Sequence, residues 1–126
     1  VFAQTHTMCA THRITKTSGG TRGFGPDEYA FRDPDLYTEL ISDSLGVHVN
    51  AVMQQLLLHA KTVERVILIT DSTVADGENP PHLAHVTDLN FDARGGICGS
   101  RMTMEQACKN IMTSTNCGIA QAFKMA

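Results

Sequence analysis

No apolar run in the 126 residues approaches the length of a membrane span, so no membrane partner is expected. There is no excess of positive charge either: the formal net charge of −3 gives no reason for a nucleic-acid partner or an anionic surface. No CxxC pair and no dense framework is formed by the four cysteines, Cys9, Cys98, Cys108 and Cys117. That spacing excludes a disulfide-stapled scaffold and points to a reducing, cytoplasmic setting. No internal repeat and no low-complexity tract interrupts the chain. No signal peptide is visible and no initiator Met is present; the chain opens on Val1, and its first residues already read as structured chain. The expectation is one unit, residues 1–126, cut from a longer protein.

What is present is globular: 42% hydrophobic and 18% charged residues can bury a core. Residues 1–5 read as a short strand. Residues 15–26, "TKTSGGTRGFGP", read as a long loop, and 27–31 as a helical turn. Residues 36–42 alternate apolar and polar positions as a strand does. Asn50 stands as a helix N-cap, and Met53, Leu56, Leu57 and Ala60 follow at i, i+3, i+4 and i+7, the apolar face of a helix. Lys61 near its end suits the negative pole of the helix dipole. Residues 66–70, apolar until Thr70, read as a strand of a parallel sheet covered on both faces.

Residues 73–97 form a long excursion rich in Gly, Pro, His and Asp, of the kind that is functional or disordered. Thr103 and Gln106 then make a capping box for a helix whose face carries Met104, Ala107, Cys108 and Ile111. Cys108 is a small core residue in this reading. A last short helix covers 119–125. Strand, helix, strand in this order is α/β, with parallel strands and helical crossovers.

In such sheets and barrels, sites form at the carboxyl ends of strands. Three strand ends carry chemically able groups: His6 after 1–5, His48 beyond 36–42, and Asp71 after 66–70. Singly, each is an ordinary loop or turn residue. Together, a neutral imidazole that can hold a divalent metal and a carboxylate that can move a proton are the skeleton of metal-assisted hydrolysis. A rival reading is a local metal clip, His6-x-x-Cys9-x-x-His12, but structural zinc takes four protein ligands and no partner pair stands at suitable spacing. His59, His82 and His85 read as surface or loop histidines.

Five segments in order carry a resemblance. They are Thr5-His6-Thr7-Met8-Cys9-Ala10-Thr11; Arg22-Gly23-Phe24-Gly25; "YTELISDSLGVHV" at 37–49; Ile69-Thr70-Asp71; and Gly96-Ile97-Cys98-Gly99-Ser100-Arg101-Met102-Thr103-Met104. The chain resembles the C-terminal part of the barrel of the N-acetylglucosamine-6-phosphate deacetylase family, amidohydrolase-superfamily (β/α)8 TIM-type barrels. The resemblance implies about the last three strands of such a barrel with their helices. It implies His6 as a metal ligand, Asp71 as the catalytic acid–base group and His48 as a substrate contact. It implies Cys9 and Ala10 at an Asn-Ala pair that meets the sugar phosphate, and Arg22 at an arginine that pairs with phosphate. It also implies Ile97, Cys98 and Gly99 in a backbone run lining the substrate pocket.

The sequence departs from the family pattern at Cys9, where Asn is usual, in a longer loop before Arg22, and in an extra Ser44-Leu45 before Gly46. The family's other metal ligands, a glutamate and a second histidine, come from earlier strands. The expectations are therefore a parent that hydrolyses the acetamide of an N-acetylhexosamine 6-phosphate, with a divalent metal (zinc first, iron or another ion next). That parent is expected to be a cytoplasmic homo-oligomer, dimer or tetramer. The isolated chain is expected to be inactive. The alternatives are a different amidohydrolase, acting on another N-acyl sugar or a cyclic amide, and an inactive sugar-phosphate-binding fragment.

Overall fold

The computed structural model describes residues 2–11, 23 and 25–126. Three parallel strands lie in the order β1 (Ala3–Gln4), β2 (Tyr37–Ile41), β3 (Val66–Ile69). Ala3 pairs with Tyr37, and Thr38 to Ile41 pair in register with Val66 to Ile69. Between β1 and β2 lies a short helix, α1 (Pro26–Arg32), and between β2 and β3 lies α2 (Ala51–Lys61). The expected strand–helix–strand unit is present, with boundaries within a residue or two. The loop expected at 15–26 falls largely outside the described residues.

Asn50 caps α2 as its position predicts, its side-chain oxygen accepting the Val52 N–H at 2.9 Å. The face that α2 turns inward differs from the expected one. Leu57 is buried and Met53 packs on the core, but Leu56 is 47% exposed and Ala60 is exposed; Gln54 and Lys61 are buried instead. Hydrogen bonding is the reason. The Gln54 Oε1 accepts from Ser42 Oγ at 2.9 Å and Ser114 Oγ at 2.6 Å, and its amide donates to the Val49 carbonyl at 2.7 Å. A buried amide so satisfied carries no desolvation penalty comparable to an orphaned one. Lys61 donates to the Ala30 carbonyl at 2.9 Å and to the Asp33 carbonyl, so it caps the end of α1 rather than serving only its own helix.

The long excursion after Asp71 is not structureless. It holds a 3-10 turn at Pro81–Leu83 and an antiparallel pair, β4 (Leu89–Phe91) with β5 (Ile97–Ser100). Val86, Leu89 and Phe91 make a small core of their own. Two helices follow, α3 (Met104–Thr115) and α4 (Ile119–Met125). The Thr103 hydroxyl accepts the Gln106 N–H at 3.2 Å, as the capping signature predicts. The main core joins Leu40, Leu57, Val66, Leu68, Ile111 and Met125, with Cys108 among them. Along β3 burial alternates, Val66 and Leu68 buried and Ile67 and Ile69 half-buried, so one face is fully covered and the other only partly. No helix among the described residues is long and apolar enough to cross a membrane.

Candidate active site

The carboxyl ends of β1 and β3 bring two side chains together. His6 Nε2 lies 3.4 Å from Asp71 Oδ1, and both side chains stay open to solvent, at 40% and 30% exposure. Both residues sit in the left-handed region, with φ of 48° at each. For a non-glycine residue that conformation costs about 1–3 kcal/mol, and His and Asp are among the types that tolerate it best. Past His6 the chain rejoins the sheet, Thr7 N–H donating to the Glu39 carbonyl at 2.9 Å.

The Asp71 backbone is gripped from the far side by β5. Its carbonyl accepts the Ser100 N–H at 2.8 Å, and the Ser100 carbonyl accepts the Thr73 N–H at 3.1 Å. The approach is close because residue 99 is Gly: it has φ +66°, and a Cβ there would lie 2.5 Å from the Asp71 carbonyl oxygen and 2.7 Å from Thr73 Oγ1. The Cys98 carbonyl accepts the Thr73 hydroxyl at 2.7 Å. The run Ile97-Cys98-Gly99 therefore stands beside the end of β3, with Ile97 exposed and Cys98 half-buried.

His48 is placed differently. It follows the carboxyl end of β2 but is buried, with Nδ1 3.0 Å from Asp43 Oδ2. Asp43 also accepts the backbone N–H groups of Leu45 at 3.1 Å, Val47 at 2.9 Å and His48 at 2.8 Å. Burial works to raise the Asp43 pKa, but the His48 ring and the Val47 and His48 amides outweigh it and hold the carboxyl below its ordinary value. His48 lines a cavity of about 450 Å³ with Met8, Thr11, Asp27, Val49 and Asn50. His6 and Asp71 line no part of it.

Cys9 is half-buried between these groups. Burial first, then the carboxylates of Asp71, Asp43 and Asp27, push its thiol above the ordinary value. A thiol so placed stays protonated and is no nucleophile. Ala10 is exposed and, like Met8, has a positive φ. Arg22 lies outside the described residues, as does His12 of the rival clip. Among the described residues no group of three His, Cys, Asp or Glu side chains could hold a metal ion. His6 can offer one donor, but its neighbours do not complete a metal site.

Three carboxylates went unread in the sequence. Asp27, expected only to open a helical turn, accepts from Gln4 Nε2 at 2.7 Å, Met8 N–H at 3.0 Å and Thr11 Oγ1 at 2.5 Å, and so pins the loop that carries His6 and Cys9. Asp88 is buried and binds the Ser44 N–H at 2.7 Å and Asn110 Nδ2 at 3.0 Å, tying the loop after β2 to α3. Asp43, five residues before His48, was legible as a strand-end Asp able to fold an Asx-type turn.

A parallel sheet with helical crossovers and polar groups at the carboxyl strand ends fits a portion of an α/β barrel, and equally an open α/β sheet. Comparison with known proteins agrees and narrows it. The chain is 34% identical over 95 residues to an N-acetylglucosamine-6-phosphate deacetylase of Lysinibacillus sphaericus, which covers 70% of this chain and 24% of that protein. It is 30% identical over 107 residues to the enzyme of that name from Haemophilus influenzae, 77% of this chain and 27% of the relative. Among solved structures, the N-acetylglucosamine-6-phosphate deacetylase of Thermotoga maritima superposes with TM-score 0.65 at 27% identity, over 82% of this chain and 30% of that one. The Pasteurella multocida structure gives TM-score 0.76 over 99% of this chain and 33% of that one; at 23% identity it speaks for the fold alone. No protein-family model matches. The chain is a partial barrel similar to N-acetylglucosamine-6-phosphate deacetylases, and it spans about a quarter of the length of the curated relatives it matches.

Proposed function

We propose that the chain is the part of a deacetylase barrel that carries the acid–base group. The parent hydrolyses the acetamide of an N-acetylhexosamine 6-phosphate, releasing acetate and the amino-sugar phosphate. The observation that carries this reading is the approach of His6 Nε2 to Asp71 Oδ1, 3.4 Å, at the carboxyl edge of the sheet.

Asp71 accepts a proton from the attacking water and returns it to the departing nitrogen, so that the amine leaves neutral. His6 is the residue that would give its imidazole to a divalent metal, whose remaining donors would have to come from outside the described residues. When bound, such a metal supplies Lewis-acid polarisation of the amide carbonyl and a more acidic water. The substrate stands against Ile97, Cys98 and Gly99 on one side and His48 on the other. Arg22 suits the phosphate by its planar, bidentate fork. Cys9, where the family has Asn, favours a second reading in which the sugar is a different N-acyl hexosamine phosphate.

The test is Asp71→Asn in the full-length parent. Asn keeps the size and the turn-forming ability of Asp and loses only the proton exchange. Turnover of N-acetylglucosamine 6-phosphate should fall about 10²–10⁴-fold, with metal content unchanged by elemental analysis. Near-normal turnover in the metal-loaded variant ends the catalytic assignment.

A further inference from the structure

Asp43 and His48 form a buried pair that the proposed proton transfer does not use. The Asp43 side chain is fully buried and that of His48 is 2% exposed. A carboxylate only accepts, so the imidazole Nδ1 facing Asp43 Oδ2 at 3.0 Å carries a hydrogen. The other ring nitrogen, Nε2, is buried with no partner among the described residues. Buried polar atoms are nearly always paired, and His48 is one of the residues that line the cavity of about 450 Å³, from which a partner can reach the ring once Nε2 is uncovered.

We propose that Asp43 is a positioning residue for His48. It locks the imidazole as the Nδ1–H tautomer and so presents Nε2 as an acceptor to a hydroxyl or amide N–H of the ligand. The assignment of that ligand as an N-acyl sugar phosphate rests on the function proposed above; the tautomer does not. The loop has a second use for Asp43, since the same carboxylate gathers the N–H groups of Leu45, Val47 and His48. A purely structural clamp and a positioning group must therefore be told apart.

The experiment uses the full-length protein with 15N-labelled histidine, His48 being assigned by its loss in His48→Gln. Long-range proton–nitrogen correlation should show Nδ1 as the protonated nitrogen of His48 and Nε2 as the bare one. In Asp43→Asn the side-chain amide can turn its NH2 toward Nδ1, and the spectrum should shift toward the opposite tautomer. In kinetics on N-acetylglucosamine 6-phosphate, Asp43→Asn and His48→Gln should each lower kcat/KM by about 10- to 100-fold, the range for an unmatched buried hydrogen-bond partner. The double variant should be no worse than His48→Gln alone, because Asp43 acts through His48. A protonated Nε2 in the unaltered protein overturns the proposal, and so does a double variant whose loss is the product of the two. If Asp43→Asn does not fold, the spectrum of the unaltered protein still decides. If the unaltered enzyme ignores this substrate, the proposed function falls, while the tautomer continues to test the positioning role.

Discussion

Gly99→Ala is the substitution that most directly probes how Asp71 is held. Two separate costs meet at this position. The φ of +66° disfavours any L side chain, by about 1–2 kcal/mol. The added methyl would also lie 2.5 Å from the Asp71 carbonyl oxygen, a backbone atom that already accepts the Ser100 N–H. Relief requires β5 to back away, and such overpacking costs about 1–3 kcal/mol. The sum is about 2–5 kcal/mol. Gly95 supplies the control: its φ is +78°, yet a Cβ there would meet nothing within 4 Å. Gly95→Ala should carry only the conformational part. Denaturant unfolding of both variants and the unaltered full-length protein, run side by side, gives the steric term as a difference. Turnover should separate them further, since a shift of about 1 Å at a reacting group can cost about 10²-fold. If Gly99→Ala is no more destabilising than Gly95→Ala and keeps its turnover, β5 does not fix Asp71 and the reasoning fails.

Two further outcomes follow from the packing and the charges. Leu57→Ala, at a fully buried position of the main core, should destabilise by about 2–5 kcal/mol in the same unfolding assay, whereas Leu56→Ala, half exposed, should cost well under half as much. Asp43 should make stability fall in acid: burial opposes its ionisation, but the His48 and backbone hydrogen bonds win and hold its folded pKa below the ordinary 3.8. Its contribution is then complete above about 3.8 and is lost as the pH drops through the lower folded value. Unfolding free energies measured across that window should lose part of their slope in Asp43→Asn.

The strands of the sheet and both long helices were legible because their signals are local. An apolar run ending in Thr70-Asp71, an Asn50 cap and a Thr103 capping box each describe a few adjacent residues. The inward face of α2 was not legible, because periodicity counts apolar residues and this face is completed by Gln54 and Lys61. Their partners, Ser42, Ser114 and the Ala30 carbonyl, lie far away in sequence. The β4–β5 pair was missed for the reverse reason. Its strands are three and four residues long among Gly, Pro and Asp, and the Asn90 side chain bridges them by donating to the Ser100 carbonyl, a bond that no pattern announces.

The site shows the same division one level up. Three strand ends in a parallel sheet predict polar groups on one edge, but they do not predict which ones touch. β1 and β3 are separated by β2, which at ordinary strand spacing sets their axes about 9.6 Å apart. His6 and Asp71 nevertheless reach 3.4 Å. Two features close that gap. The left-handed φ at both residues departs from the extended path and re-aims each side chain. The group from the middle strand does not stand between them, because His48 is drawn down onto Asp43. The adjacency of His6 and Asp71 is thus a product of backbone strain at the outer strands and of a buried hydrogen-bond partner for His48 at the inner one. Relaxing either should separate the pair before it unfolds the sheet.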